Sequence, residues 1–544
     1  MRLILRSIIL LLVSLAAYAA WAWPNRPVDL EPLPGGKLPS VSFAPFREGQ
    51  SPLTGVFATR AEIADDLRLL SSEVRGVRTY TSREGLEAVP PIARELGIEV
   101  LQGAWIDSDP EINEAEVAAL IRAAKDYPDV IRRVIVGNEV LLRGTRTPAQ
   151  LIDLIGRVRA EIDQPVGYAD VWEFWLRHPE VAEHVDFIVI HILPYWEDDP
   201  VAVDGAEHRI LEAHAAIRER FPGKPILIGE IGWPTAGRTR GPAETGLVEK
   251  ARFINLVVRL AEREGFDYNL IEAFDQPWKS LNEGTVGANW GLFSAERERK
   301  FSLSGPVVAD PLWRWHAAAA IALGVAGAAL AARRRPLGAA GFLAAAVLAQ
   351  GLAGGLVWAV HVAAGETYYP FETLRAWALV VVHAIVAAAI LRSFADALAG
   401  GAGQFDRFGG AGRLGRFGGA AVALLTLSAL AQTGLLVADG RYRDFLVPDI
   451  AGPAIGLLLL GLARMGRGMP HPFAVFPASS RTATAAAILL AAGAVAIVVA
   501  EGWVNREAVT WAVLLAVLAV PWAAAAPLQS RNRSGRSFAP GATA

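Results

Sequence analysis

Two glutamate residues each follow a short apolar run at a point where the chain is expected to leave a β-sheet. Residues 226–229 precede Glu230, and residues 134–137 precede the dipeptide Asn138-Glu139. Apolar runs of this length that stop at glycine predict buried strands, so each carboxylate is expected at a strand end. The alternative is an exposed loop carboxylate, the commonest place for glutamate. Two such carboxylates in one barrel would supply what glycoside cleavage needs, an acid and a nucleophile or base.

The elements that must position these glutamates alternate between short apolar strands and amphipathic helices over residues 39–310. The clearest helices are predicted at residues 115–125, 148–162 and 244–264. Eight strands with helices between them predict an α/β fold, a (β/α)8 TIM barrel, whose site lies at the C-terminal strand ends. The eight predicted strands are residues 41–44, 76–80, 99–103, 133–137, 166–168, 187–192, 226–229 and 269–273.

Other side chains at the predicted strand ends are candidates for sugar contacts. Asn138 could hydrogen-bond a sugar hydroxyl next to the scissile bond, and Trp233 in Gly232-Trp233-Pro234 could set an aromatic face against a sugar ring. For Trp233 the alternative is core packing, and for the others it is support of the glutamates. The remaining substrate-binding candidates are Tyr80, Asp170, Tyr195, Trp278 and Lys279.

Gly137-Asn138-Glu139 and Gly229-Glu230-Ile231-Gly232-Trp233-Pro234 together resemble glycoside hydrolase family 17, the β-1,3-glucanases and glucanosyltransferases. The resemblance covers residues 38–305 and implies that Glu139 is the general acid/base and Glu230 the nucleophile. Two departures are Gln276, where many members have glutamate, and His191, where many have asparagine. Further matching stretches are Ser42-Phe43-Ala44-Pro45-Phe46, Arg78-Thr79-Tyr80, Tyr168-Ala169-Asp170-Val171-Trp172, His191-Ile192-Leu193-Pro194-Tyr195-Trp196 and Glu272-Ala273-Phe274-Asp275-Gln276-Pro277-Trp278-Lys279.

Composition and motif content exclude several function classes. The chain has no cysteine, so disulfides and thiolate chemistry are excluded. No phosphate loop, metal-ligand cluster or nucleotide fingerprint is recognisable, so we expect no cofactor and no metal, and a transferase using nucleotide-sugars is not supported. The formal net charge is −3 without a basic patch interleaved with aromatics, so nucleic acid is not an expected partner.

The second half of the chain is much more apolar than the first, which accounts for an overall hydrophobic content of 53%. Residues 1–24 predict a transmembrane anchor or a cleaved signal peptide, with interfacial Trp21 and Trp23 favouring the anchor. The other predicted domains are a linker at 25–38, the barrel at 39–310, a seven-helix membrane domain at 311–530 and a cytoplasmic tail at 531–544. The seven apolar runs are residues 313–332, 337–360, 374–395, 419–438, 446–464, 483–501 and 508–527.

Arginines predict the orientation of these runs, because loops rich in arginine stay in the cytoplasm. They are concentrated in or beside alternate connections, and Arg2 and Arg6 precede the first apolar run. Both chain ends are therefore expected in the cytoplasm and the barrel on the opposite, periplasmic or extracytoplasmic, side of the cytoplasmic (inner) membrane. The arginines beside alternate connections are Arg333, Arg334, Arg335, Arg392, Arg407, Arg413, Arg416, Arg464, Arg467, Arg481, Arg531, Arg533 and Arg536.

Together these expectations predict a multi-pass membrane enzyme that acts on β-glucan. The architecture resembles bacterial membrane-bound family members linked to β-glucan synthesis, which implies a retaining glycosidase that cleaves and re-forms β-1,3- or β-1,6-linkages. Whether water or a sugar hydroxyl resolves the glycosyl-enzyme is left open by the sequence. The expected partners are β-glucan oligosaccharide or polysaccharide, the lipid bilayer and other membrane proteins of glucan synthesis. The rival hypothesis is a catalytically idle glucan-binding sensor or transporter subunit.

Overall fold

The computed structural model describes residues 2–34, 36–400, 413–469, 471–474 and 479–526. The predicted cytoplasmic tail at 531–544, with Arg531, Arg533 and Arg536, lies outside these ranges, as does Arg407. The chain divides into two compact units. One comprises Pro27–Ala309, and the other combines the N-terminal segment up to Arg26 with the chain from Asp310 onward.

The first unit is a closed barrel of eight parallel strands, which confirms the predicted fold class. The strands pair in chain order, and the last strand pairs with the first through Val41 and Leu270. The strands of the barrel unit are β1 Val28–Leu30, β2 Leu38–Ser42, β3 Val74–Arg78, β4 Glu99–Ala104, β5 Ile131–Asn138, β6 Val166–Val171, β7 Phe187–Ile192, β8 Ile226–Ile231, β9 Asp267–Leu270 and β10 Gly305–Val307. Strands β2 to β9 form the barrel.

Helices follow the barrel strands and pack their apolar faces on the sheet. Capping boxes at Thr59 and Thr147 start two of them, and Pro148, directly after Thr147, suits a helix start. The helices of this unit are α2 Arg60–Leu70, α3 Val89–Leu96, α4 Pro110–Asp126, α5 Pro148–Glu161, α6 Trp172–Arg177, α7 Ala206–Arg220, α8 Leu247–Glu264 and α9 Ser280–Ala288, with short 3₁₀ helices at Leu86–Ala88, Pro179–His184, Val203–Gly205 and Pro277–Lys279.

Two expectations about the start of the barrel are corrected. The segment 25–38, expected to be only a linker, contains β1, which pairs antiparallel with β10, and its last residue, Leu38, begins the first barrel strand. The segment is rich in Pro and Gly, which is typical of a linker, but Val28 and Leu30 lie on a short strand whose partner is far away in the sequence. Elsewhere in the barrel, the first, second and eighth strands end earlier than predicted, at Ser42, Arg78 and Leu270, and buried loop residues such as Phe43 and Ala273 follow the first and the eighth.

The second unit is helical. Eight of the described helices are long and apolar enough to cross a membrane, by length and composition. Within this unit α1 packs Ile9 and Val13 against Ala328 and Phe342. The helices are α1 Arg2–Ala22, α10 Trp313–Arg334, α11 Ala339–Gly365, α12 Pro370–Leu398, α13 Arg413–Ala438, α14 Val447–Met465, α15 Ser480–Glu501 and α16 Arg506–Ala525.

Candidate active site

The two glutamates singled out in the sequence lie close together at the C-terminal ends of the barrel strands. Glu139 directly follows β5, and Glu230 lies on β8. Three atoms lie within 4.8 Å of one another: one carboxylate oxygen of Glu139, one carboxylate oxygen of Glu230 and one ring nitrogen of His191. The Glu139 side chain is 24% exposed and that of Glu230 only 7%. Of the two carboxylates, Glu139 is therefore the one open to solvent.

A left-handed turn at the end of β5 sets the direction of Glu139. Glu139 itself has φ +53°, uncommon for a residue with a side chain, and Gly137 has φ +89°. A Cβ at Gly137 would lie 2.6 Å from the Val140 side chain, so this turn needs glycine. The backbone N–H of Glu139 donates to the Ala169 carbonyl at 2.8 Å. Strained backbone of this kind is often found at functional sites.

Asp170 supports the turn at Glu139 through hydrogen bonds. Its side chain is completely buried and accepts hydrogen bonds from the Tyr168 hydroxyl, the Leu142 N–H and the Val171 N–H. Burial raises the pKa of Asp170 to about 6, with the nearby charge of Glu139 adding to the rise. Asp170 was expected at the sugar, but a fully buried carboxylate with three donors positions the Glu139 turn instead.

Arg78 joins the strand ends on which the two glutamates sit. It is 1% exposed, and its guanidinium donates to Asn138 Oδ1 at 2.6 Å and to the Gly229 carbonyl at 2.6 Å. The same group lies 3.4 Å from Glu230 Oε1. In the sequence Arg78 is part of a stretch that resembles the family, and no role was predicted for it. The signal was an arginine at an otherwise apolar strand end, where a buried cation needs an anionic partner.

Tyr80 and a chain of polar groups behind it orient Glu230. The Tyr80 hydroxyl donates to Glu230 Oε1 at 2.9 Å and lies 2.9 Å from Ser42 Oγ, which accepts from Asn269. Burial and then the charge of Glu230 raise the pKa of Tyr80 well above its ordinary value. Tyr80 is therefore a hydrogen-bond donor to Glu230 at every physiological pH.

His191 stands between the two glutamates. Its Nδ1 is 2.8 Å from Glu139 Oε1, and its Nε2 is 3.6 Å from Glu230 Oε1 and 3.4 Å from Arg78 Nη1. Burial by itself raises the pKa of Glu139, but the hydrogen bond and charge of His191, helped by Arg78 and Arg143, hold that pKa below its ordinary value. In the sequence His191 is a departure from the family pattern, and it was not predicted to belong to the site.

Glu139, His191 and Glu230 are close enough to be considered as ligands of a metal ion. The Arg78 guanidinium, however, already lies 3.4 Å from both Glu230 Oε1 and His191 Nε2. A cation of the protein thus faces two of the three candidate ligands, and a divalent ion there would be repelled by it. For this reason we assign no metal to the group.

Trp233 and Tyr195 do not lie on a sugar-facing surface, which corrects the expectation for both. Each is 0% exposed, and their rings pack edge to face with centroids 5.8 Å apart. Trp233 Nε1 donates to the Glu244 carbonyl and the Tyr195 hydroxyl to the Arg238 carbonyl. Burying an aromatic ring with its polar atom satisfied is favourable, so the core alternative holds for Trp233.

Trp278 and Lys279, the predicted sugar contacts in the turn after the eighth barrel strand, are partly open to solvent. Lys279 donates to Glu272 Oε1 at 2.8 Å, and Trp278 Nε1 donates to Gln276 Oε1 at 2.9 Å. Gln276 in turn donates to the Ala44 carbonyl, so this amide orients the Trp278 ring. Asn138 is 92% buried against Arg78 and sits directly beside Glu139. Their contact with substrate stays a prediction.

Comparison with known proteins covers the barrel unit. Residues 40–291 match the family model of the BtgE/BtgC glycoside hydrolase domain. A glucan 1,3-beta-glucosidase of Arthroderma benhamiae is 28% identical over 45% of this chain and 84% of its own length. The putative glucan endo-1,3-beta-glucosidase btgC of Aspergillus niger is 26% identical over 48% of this chain, which spans 42% of that relative.

Solved structures resemble the same part of the chain. A glycoside hydrolase family 17 beta-1,3-glucanosyltransferase from Rhizomucor miehei is 24% identical and aligns with a TM-score of 0.44 over 49% of this chain and 97% of its own. An active-site mutant of the Rhizomucor miehei beta-1,3-glucanosyltransferase in complex with laminaritriose is 25% identical, with a TM-score of 0.43 over 48% and 95% of the two chains.

Proposed function

We propose, from the premise that the barrel is a glycosidase domain of the family 17 β-1,3-glucanase type, as its match to the BtgE/BtgC glycoside hydrolase domain supports, that the chain cleaves and re-forms β-1,3-glucan outside the cytoplasmic membrane. The proposed substrate is a β-glucan oligosaccharide or polysaccharide, and the linkage that is re-formed is β-1,3 or β-1,6. Glu139 is the general acid/base and Glu230 the nucleophile of a retaining reaction.

The observation that carries the proposal is the separation of the two carboxylates. Oxygens of Glu139 and Glu230 lie within 4.8 Å of each other. Retaining glycosidases place their carboxyl groups about 5–5.5 Å apart, whereas inverting ones leave about 6.5–9.5 Å for a water molecule. The geometry therefore favours direct attack by one carboxylate over activation of a water.

The first step cleaves the donor glucan. Glu139 gives a proton to the glycosidic oxygen, while Glu230 attacks the anomeric carbon and forms an ester. The Tyr80 hydroxyl at 2.9 Å and Arg78 at 3.4 Å fix the orientation of the attacking carboxylate. Glu139 is the more exposed of the two, which suits a residue that must exchange protons with a departing sugar and an incoming acceptor.

The second step decides between hydrolysis and transfer. Glu139, now a base, takes a proton from water or from a sugar hydroxyl, which displaces Glu230 from the anomeric carbon. We favour the sugar hydroxyl, so that glucan is remodelled or branched as it is synthesised. Eight helices of spanning length and apolar composition support a membrane setting for this chemistry.

The test is product analysis with the full-length protein in detergent. Laminari-oligosaccharides of defined length are incubated with wild type and with Glu230→Ala, and the products are separated by mass. Transfer predicts products longer than the substrate in addition to shorter ones, and Glu230→Ala is expected to yield neither.

Three other outcomes are informative. Shorter products alone would make the protein a hydrolase. Binding of the oligosaccharides without any turnover by wild type would contradict the proposal and favour the rival hypothesis of a glucan-binding sensor or transporter subunit. Products with inverted anomeric configuration would contradict the assignment of Glu230 as nucleophile.

A further inference from the structure

Trp105 lies one strand away from the proposed acid/base. It directly follows β4, which pairs with β5, and Glu139 directly follows β5. Because these strands are parallel, both residues lie at the C-terminal end of the barrel. The indole is only partly buried. The backbone N–H of Trp105 donates to Glu116 Oε2 at 3.1 Å, whereas no described residue accepts from its indole N–H.

The guanidinium of Arg143 connects Trp105 with the turn that carries Glu139. Its Cζ lies 4.3 Å from the centroid of the indole ring, which is a cation–π contact. Nε and Nη2 both donate to the Asn138 carbonyl, at 3.2 and 2.9 Å, and Nη2 also donates to the Ile106 carbonyl at 2.7 Å. These backbone oxygens fix the guanidinium, and the guanidinium in turn holds the indole beside the turn.

The remaining N–H groups of Arg143 point to a ligand. A guanidinium has five N–H groups, and those on Nε and Nη2 already donate to backbone carbonyls. Nη1 lies 3.7 Å from Asp107 Oδ1, which is beyond hydrogen-bond distance, and it donates to none of the described residues. The side chains of Arg143 and Asp107 are 24% and 41% exposed. A ligand here would therefore meet two N–H donors, a carboxylate and an aromatic ring.

These groups, together with the neighbouring Leu142, suit a sugar. We call Trp105, Asp107, Leu142 and Arg143 the Trp105 surface. A β-glucosyl ring carries equatorial hydroxyl groups around its edge and C–H bonds on its faces. The hydroxyl groups can bond to Arg143 and Asp107, and a face can pack on the indole and on Leu142, which is 44% exposed. Such a mixture of apolar side chains and a few polar groups is typical of sites for small organic ligands.

The position beside Glu139 indicates which sugar would bind. In a retaining reaction the donor becomes attached to the nucleophile, Glu230, whereas the departing sugar takes a proton from the acid/base. The acceptor later occupies the place of the departing sugar, because it gives its hydroxyl proton to the same residue. The Trp105 surface is bonded to the turn at Glu139, and none of its described contacts reaches Glu230. It therefore lies on the acceptor side.

We propose that the Trp105 surface binds the glucan chain that accepts the glycosyl group. The inference rests on the proposed function. A hydroxyl of the bound acceptor attacks the anomeric carbon, and the new C–O bond forms as the ester bond to Glu230 breaks. The hydroxyl proton passes to Glu139, and Glu230 leaves as a carboxylate. A sugar bound at the Trp105 surface also keeps water away from the ester, so the surface favours transfer over hydrolysis.

The alternative is that Arg143 and Trp105 only support the turn at Glu139. Both roles predict slower turnover without Trp105, but they differ in the fate of the glycosyl-enzyme. Loss of support would weaken Glu139 as a base, so attack by water and attack by sugar would slow together. Loss of an acceptor site slows only the attack by sugar. The ratio of transfer to hydrolysis therefore separates the two roles.

The test measures this ratio with the full-length protein in detergent. The donor is carbon-13-labelled β-laminaribiosyl fluoride, because its leaving group is a single atom and needs no sugar on the acceptor side. Laminaritriose is the acceptor, so that transfer gives a labelled pentasaccharide and hydrolysis a labelled disaccharide, which are separated by mass. Trp105→Ala should lower the ratio roughly tenfold at equal acceptor concentration, as expected for the loss of one apolar contact. Trp105→Phe keeps a ring and should give an intermediate ratio.

Tyr127→Ala is the matched control. Arg94 lies over the Tyr127 ring at 4.6 Å, a cation–π contact of the same kind. Tyr127 follows α4 and precedes β5, so this pair lies at the N-terminal end of the strands, away from the site. The variant should keep the wild-type ratio. Melting temperatures show whether each variant is folded, and Trp105→Phe carries the test if Trp105→Ala is not.

A wild-type ratio in the folded Trp105 variants would overturn the inference, whether or not both rates fall, and so would an equal fall of the ratio in Tyr127→Ala. Wild type that forms the disaccharide but no pentasaccharide at any acceptor concentration would also overturn it, while the glycosidase activity would stand. Wild type that releases no more fluoride than Glu230→Ala would instead contradict the proposed function.

Discussion

His191 on β7 pairs with Glu230 on β8 across a shift of strand register. Ile190 pairs with Ile228, but His191 pairs with Glu230, so Gly229 has no partner. In a regular parallel pair His191 would pair with Gly229, and Glu230 would project on the opposite face from His191. The extra residue, a β-bulge, brings both side chains to the same face of the sheet.

Gly229→Ala should disrupt this bulge. A Cβ at position 229 would overlap the Val189 side chain and lie 3.1 Å from Arg78 Nη1, which bonds the Gly229 carbonyl. Overpacking of this kind costs about 1–3 kcal/mol, and displacement of Arg78 should reduce kcat/KM by roughly a hundredfold. Steady-state kinetics and thermal melting measure both effects.

Gly156→Ala is the matched control. Gly156 lies within α5, and a Cβ there meets nothing within 4 Å. Alanine is favoured over glycine in a helix by about 1 kcal/mol, so this variant should be as stable as wild type or more stable, with unchanged kinetics. Equal losses in both variants would show that the effect at 229 has nothing to do with the bulge.

Tyr80→Phe should weaken catalysis without unfolding the barrel. The variant loses the hydroxyl that donates to Glu230 Oε1 at 2.9 Å. A hydrogen bond to a charged group contributes about 1.5–3 kcal/mol, which predicts a fall of roughly 10–100-fold in kcat/KM. Tyr268→Phe removes the hydroxyl of a largely buried tyrosine on β9 for which no hydrogen bond is described, and it should retain wild-type rates. Unchanged kinetics in Tyr80→Phe would exclude a role in orienting Glu230.

Glu230→Ala and Glu139→Ala should fail in different ways. Glu230→Ala removes the nucleophile and should abolish turnover of every substrate. Glu139→Ala should still be glycosylated by an activated aryl glucoside, because a good leaving group needs little protonation. The slow second step should then be accelerated by azide, which needs no general base, and the product should be the β-glucosyl azide.

A β-glucosyl azide formed by Glu230→Ala, together with an α-glucosyl azide formed by Glu139→Ala, would reverse the two roles. Product configuration by nuclear magnetic resonance is decisive, because azide approaches from the face that the missing carboxylate leaves open. His208→Ala, at the surface of α7, serves as the unaffected control for azide itself.

Lys250 predicts a pH dependence of barrel stability. Burial lowers the pKa of Lys250 from 10.5 to about 7, with Lys300 adding to the effect. Between pH 7 and 10.5 the unfolded state therefore binds more protons at this residue, so its contribution to stability rises with pH over that window. Lys250→Met should raise the melting temperature of the barrel most near pH 7 and progressively less toward pH 10.

The carbonyl that Lys250 leaves behind should not offset this gain. Lys250 donates to the Trp290 carbonyl, which also accepts from the backbone N–H of Glu272 at 2.9 Å. Lys224→Met, at a partly exposed lysine, is the control and should show no such trend. Each kcal/mol corresponds to about 2–4 °C in a domain of this size. A difference that grows with rising pH would contradict the prediction.

Reporter fusions test the proposed membrane topology. Arginine distribution predicts both chain ends in the cytoplasm and the barrel outside, with eight spans if the first is retained. A reporter fused after residue 310 should be active only outside the cytoplasm, and one fused after residue 530 only inside. Fusions that report the same side would refute this topology.

The sequence predicted the barrel and the two glutamates because both depend on local patterns. Short apolar runs stop at glycine, and parallel strands bring their C-terminal ends to one edge. It could not predict that His191 and Glu230 share a face, because the register shift at Gly229 depends on packing against Val189 and Arg78 from other strands. Trp233 was misjudged for a related reason, since only the fold shows Phe253 and Tyr195 covering its ring.

The ribbon formed by β1 and β10 brings the two ends of the barrel unit side by side, with Val28 opposite Val307. A domain whose N- and C-termini lie close together can be inserted into another domain, or removed from it, with little change to the structure of that other domain. The helices before and after the barrel belong to one compact unit. In sequence the barrel is therefore a domain inserted between α1 and α10 of the helical unit. Joining residue 26 to residue 310 through a short glycine-rich linker should yield the helical unit without the barrel.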